Sequence, residues 1–82
     1  MGDKYDRLFK ELGSRYRKAR LAQGMVQEDV LEHGFSVRHY QQLEAGRAHS
    51  LNTLFRVAEM FGLDPAAVLK GLMGKRRKKK AA

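Results

Sequence analysis

Apolar residues return every three or four positions through most of this chain, which is the signature of amphipathic helices. Over residues 3–23, Tyr5, Leu8, Phe9, Leu12, Tyr16 and Ala19 make one apolar stripe. Arg7, Lys10, Arg15, Arg17 and Lys18 fall off that stripe and are expected to face water or a ligand. Gly24 ends this first helix. A second, barely two turns long, covers 27–33 with Val30 and Leu31 as its apolar anchors, and Gly34 closes it. Ser36 is a good N-cap for a third helix reaching Ala45 before Gly46. At about 100° per residue, Val37, Tyr40, Leu43 and Glu44 share one face of it, with Arg38, Gln41, Gln42 and Ala45 opposite. A fourth helix follows the N-cap Ser50 over 51–61. There Leu51, Leu54, Phe55, Val57, Ala58 and Phe61 predict extensive burial. Asp64 followed by Pro65 opens a fifth, whose apolar side is Val68, Leu69, Leu72 and Met73.

No segment alternates with the period of a strand. The expected fold class is all-α, a compact bundle of four to five short helices, in a chain of 82 residues that has room for one small domain. A second copy would add to its thin stability margin. Charge then divides the chain. Seventeen Lys and Arg against nine Asp and Glu give +8 and a pI near 10.2. Six of those basic residues lie in Lys75-Arg76-Arg77-Lys78-Lys79-Lys80, so residues 1–74 carry only +2. The expected organisation is a domain over 1–74 and a disordered basic tail over 75–82, because like charges repel. Three readings of that tail stand: an arm for DNA phosphates, a solubilising extension without a partner, or an artificial extension. An excess of positive charge on this scale favours an anionic partner, nucleic acid or a membrane surface.

The informative stretch is QEDVLEHGFSVRHYQQLEAGR, residues 27–47. It predicts two short helices joined by a tight turn at Gly34, the second showing Arg38, Gln41 and Gln42 outward. Arg and Gln read guanine and adenine edges bidentately in the major groove. Solvation of an exposed helix explains the same residues as well, on composition alone.

The order of several positions adds to this. Leu12-Gly13 with Arg20, Gln27, Gly34, Tyr40, Leu43, Glu44, Gly46, Ser50-Leu51, Thr53-Leu54 and Ala58 come in sequence. Phe61-Gly62-Leu63 and Leu69 complete the series. Together these make residues 12–69, roughly seventy per cent of the chain, similar to a lambda-repressor/Cro-like helix-turn-helix domain of the xenobiotic-response-element type. The resemblance implies a small transcriptional regulator, a repressor by type, that binds specific double-stranded DNA with its recognition helix, 36–45, in the major groove. It places Val37, Arg38, Gln41 and Gln42 against base edges, with Val37 on a thymine methyl. It places Gln27, Ser36 and Arg47 on phosphates, and His39 lies near enough to the same face to join them. It also pairs Arg20 with Glu44, in keeping with the cost of leaving a carboxylate unpaired on an inner face. Relatives of this size bind half-sites as homodimers, and Leu63 with the apolar side of the fifth helix is the expected contact. In three places the chain departs from the pattern. One residue is missing before Gly34, which shortens the second helix, and Leu31 stands where the family prefers a small residue. Val26 in place of a polar cap weakens that helix's start.

Other chemistries find little support. The chain has no cysteine, and His33, His39 and His49 lack partners at ligand spacing, so neither metal nor cofactor is expected. Glu28, Asp29 and Glu32 read as the acidic first turn of a short helix. No phosphate loop, nucleophile elbow or metalloprotease helix is present, and no enzyme activity is expected. No run approaches the ~18 apolar residues that span a bilayer, and the first residues resemble neither a signal peptide nor a myristoylation site. A cytoplasmic protein is the expectation, nucleoid-associated when bound. Two other functions fit the same pattern: an antitoxin or restriction-modification controller acting on its own operon, and a protein-interaction adaptor. A membrane-surface role for the basic first helix fits less well, because Tyr16 and Ala19 belong to the core.

Overall fold

In the computed structural model, residues 5–72 are described. They form α1 (Asp6–Ala22), a 3-10 helix (Gln27–His33), α2 (Val37–Glu44), α3 (Leu51–Met60) and α4 (Pro65–Leu69), with no strand among them. The protein is therefore a small all-helical bundle. No helix among these residues is long and apolar enough to cross a membrane. The basic tail expected over 75–82 and Met73 of the fifth helix lie outside the described residues, as do the first residues of the 3–23 helix.

The core is Leu12 and Tyr16 of α1, Val30, Phe35, Tyr40 and Leu43, then Leu54, Val57, Ala58, Phe61 and Val68. Burying one such side chain fully is worth about 1.5–3 kcal/mol. α1 packs directly on α2, and Gly13 is what lets it. A Cβ built on Gly13 would lie 2.5 Å from the Glu44 carbonyl oxygen and 2.6 Å from that of Leu43. Ser36, Ser50 and Asp64 cap α2, α3 and α4, each side chain accepting a first-turn backbone N–H.

Four expectations need correction. The segment after Gln27 is a 3-10 helix rather than a short α-helix. Seven residues rising about 2.0 Å each span about 14 Å, where an α-helix would span about 10.5 Å, so the tighter winding lets a short segment reach the turn. Val26, as expected, gives the 3-10 helix no side-chain cap, and the Val26 backbone N–H donates to the Asp29 carboxylate at 2.8 Å. Gly34 ends it at φ 86°, left-handed backbone that glycine adopts without a Cβ clash. Leu31 is no anchor: it is 60% exposed while Val30 is fully buried. Leu51 and Phe55, 59% and 46% exposed, line an uncovered flank of α3 rather than its core side. Arg15 does not simply face water. Its guanidinium donates to the Val68 and Lys70 carbonyls, holding the C-terminal end of α4 against α1.

Candidate nucleic-acid interface

α2 is the element that divides inside from outside. Its first turn is fixed by Ser36, whose Oγ accepts the His39 backbone N–H at 3.0 Å. Tyr40 and Leu43 then point into the core. Glu44 completes the inner side, with its side chain only 6% exposed beside Arg20 at 9%. Arg20 Nε donates to Glu44 Oε2 at 2.7 Å and Nη2 to Oε1 at 3.2 Å, a two-pronged ion pair between α1 and α2. Arg20 Nη1 also donates to the Met25 carbonyl, which secures the chain leaving α1.

This arrangement fixes charge states. Burial pushes the Glu44 carboxyl up, but the hydrogen bonds from Arg20, Tyr40 and Gln27 together outweigh it and hold the pKa below its ordinary 4.5. The Arg20 guanidinium is held charged more firmly than usual, chiefly by its bond to Glu44. The Tyr40 hydroxyl, 3.5 Å from the Tyr16 carbonyl, also faces this carboxylate; burial first, then Glu44, raises its pKa.

On the other side of α2, Val37, Arg38, Gln41, Gln42 and Ala45 line one open depression of about 570 Å³. Arg38 is exposed and Gln42 half-exposed. Among the described residues neither side chain makes a hydrogen bond or an ion pair. Val37 lines the depression but also packs partly on the core, so only part of its surface is open. Gln41 is exposed and its amide is already engaged, donating to Gln27 Oε1 at 2.9 Å.

The four residues expected on phosphates separate here. Ser36, His39 and Arg47 are exposed. Gln27 is half-buried and bonded inward, donating to Glu44 Oε1 at 3.2 Å while accepting from Gln41. Arg56, which drew no attention as a sequence, lies over the Phe35 ring at 4.4 Å and donates to the Gly34 carbonyl at 3.1 Å. It braces the turn between the 3-10 helix and α2.

His49, weighed in the sequence only as a metal ligand, takes a structural place instead. Its Nε2 lies 2.7 Å from the Tyr16 hydroxyl and its Nδ1 3.0 Å from the Arg47 carbonyl. With Nδ1–H donating to that carbonyl, Nε2 accepts from Tyr16, whose hydroxyl burial keeps protonated. The loop carrying Arg47 is thereby tied to α1. Tyr16 and His49 are 33 positions apart, and a contact between two such side chains leaves no repeat in the sequence.

Among the described residues no three His, Cys, Asp or Glu side chains come together in a group able to hold a metal ion. No known family, curated protein or solved structure matches the chain.

Proposed function

We propose that the protein is a small transcriptional regulator that binds specific double-stranded DNA, with α2 lying in the major groove. The observation that carries this reading is the outward face of α2. Arg38 and Gln42, one turn apart, offer unengaged guanidinium and carboxamide groups beside Gln41 and the partly open Val37. Those are the groups that pair with guanine and adenine edges, and Val37 suits a thymine methyl. Ser36, His39 and Arg47 at the two ends of α2 supply exposed phosphate partners. The six basic residues of 75–80 add charge that favours any duplex. Binding, not catalysis, is the activity, without metal or cofactor.

A recognition helix of eight residues reads few base pairs. The protein therefore acts as a homodimer on two half-sites about one DNA turn, ~34 Å, apart. Leu63 and Leu69, both exposed near α4, are apolar surface available to that contact. Its place is the cytoplasm, on the chromosome.

The test is titration of the preferred duplex and of random duplex with wild type and Arg38→Ala. The substitution is expected to lose about 1–3 kcal/mol on the preferred site and to relax preference at one base pair. Equal loss on random DNA removes Arg38 from base reading. Affinity for both duplexes should fall steeply with salt, as phosphate contacts require.

A further inference from the structure

Four side chains link the buried seam between α1 and α2 to the outward face of α2. Arg20 donates twice to Glu44, Gln27 Nε2 donates to Glu44 Oε1, and Gln41 Nε2 donates to Gln27 Oε1. A free carboxamide presents either its carbonyl or its amino group, because rotation about its last bond exchanges them. This series removes that freedom step by step. An ionised carboxylate only accepts hydrogen bonds, so the Gln27 group facing Glu44 is its amino group. The Gln27 carbonyl is then what remains for Gln41, which meets it with its own amino group. The Gln41 carbonyl is then the group that Gln27 does not engage, and Gln41 lines the outward depression together with Arg38 and Gln42.

We propose that Gln27 is a positioning residue for base reading: it holds the Gln41 carboxamide with its carbonyl presented to DNA, so that Gln41 selects a base bearing an exocyclic amino group. The inference rests on the DNA-binding reading above. In the major groove adenine N6 and cytosine N4 donate, whereas guanine O6 and thymine O4 accept. A fixed carbonyl therefore admits adenine or cytosine on one strand at one position. Guanine or thymine there sets two acceptors face to face. Every base pair carries one amino and one keto group in that groove, so the orientation of the pair is selected rather than its composition. This differs from anchoring a phosphate, which is indifferent to sequence.

Duplexes selected from a random pool by the whole chain, and single base-pair variants of the selected duplex, provide the test when titrated at several salt concentrations. Wild type is expected to accept adenine or cytosine at one position and to lose about five- to tenfold for guanine or thymine there. Gln41→Ala should abolish that preference. Gln27→Met, apolar and of similar length, should relax the same position alone, leaving the preference read by Arg38 and the salt slope unchanged. In a Gln41→Ala background it should add nothing at that position. Uniform weakening on every duplex with a shallower salt slope makes Gln27 a phosphate contact and overturns the proposal. A position that depends on Gln41 yet takes guanine or thymine overturns it too. Selection that returns no preferred sequence sinks DNA reading itself, and the proposal with it. If circular dichroism shows that Gln27→Met does not fold, the bases accepted by wild type and lost with Gln41→Ala still decide, because a carbonyl held outward admits only the amino-bearing pair.

Discussion

The inward and outward sides of residues 27–44 use similar side chains for opposite purposes. Inward, Glu44 is paired twice by Arg20, Gln27 donates to the same carboxylate, and Val30 is fully buried. Outward, Arg38 and Gln42 are unengaged and Leu31 stands in water. One side completes its bonds within the fold, and the other leaves donors and acceptors for something else. Gln41 joins the two by hydrogen bonds, through Gln27. The contrast separates stability from recognition: substitutions on the inner side should act on folding, and those on the outer side on what is bound.

Glu44→Ala should show the largest effect. It leaves the Arg20 guanidinium buried without its counter-charge, and removing one partner of such a pair costs about 3–5 kcal/mol. A domain of this size holds a total margin of only about 5 kcal/mol or so, so urea and thermal melts should show it largely unfolded. Acid makes the same point without a deletion. The Glu44 pKa is lowered on folding, so the stability it contributes is complete above the unfolded value of 4.5 and is lost as pH falls through the lower folded value. Arg20 stays charged throughout, so Glu44 sets the window. Wild type should melt progressively earlier below about pH 4.5, and Glu44→Gln should lose much of that dependence. An unchanged acid slope in Glu44→Gln would mean that the pair does not govern the inner side.

Gly13→Ala probes the same seam by volume instead of charge. Within a helix alanine is favoured over glycine by about 1 kcal/mol, so an uncrowded site would be stabilised. The new Cβ would instead meet the Glu44 and Leu43 carbonyl oxygens at 2.5 and 2.6 Å, which are backbone atoms with little room to give. Overpacking of this kind costs about 1–3 kcal/mol, and a net fall in melting temperature is expected. A rise would show that α1 and α2 are not in close contact at Gly13.

What the sequence made legible was local or charged. The three caps are contacts within three residues of Ser36, Ser50 and Asp64. The sharing of one face by Val37, Arg38, Gln41, Gln42 and Ala45 follows from helical spacing alone. Arg20 and Glu44 are 24 positions apart; a carboxylate on an inner face demands a cation, and the family resemblance is what pointed to Arg20. Periodicity was silent about cover. It places Leu51 and Phe55 on the flank of α3 but carries no information on whether another element lies over them, and none does among the described residues. Nor did it show Arg15 reaching across 55 positions to the Lys70 carbonyl, or Gln41 crossing 14 to Gln27. Hydrogen bonds to backbone carbonyls and between neutral amides leave no repeat in the sequence. The polarity of Gln41, and with it the finer chemistry of the candidate site, depends on such bonds.

The smallest expected effect comes from two adjacent residues. Val30 and Leu31 are apolar neighbours on the 3-10 helix, indistinguishable as anchors by residue type, yet fully buried in one case and 60% exposed in the other. Val30→Ala removes two methyl groups from packed surroundings and should cost about 2 kcal/mol. Leu31→Gln exchanges apolar for polar surface already in water and should stay within about 0.5 kcal/mol of wild type. Melting the two variants side by side checks the pair, and titration on the preferred duplex checks its consequence. Val30→Ala should bind with unchanged base preference once corrected for its folded fraction, because it touches no outward group of α2. A Leu31→Gln variant that melts as early as Val30→Ala would mean that Leu31 is covered in solution, by a contact that the described residues do not contain.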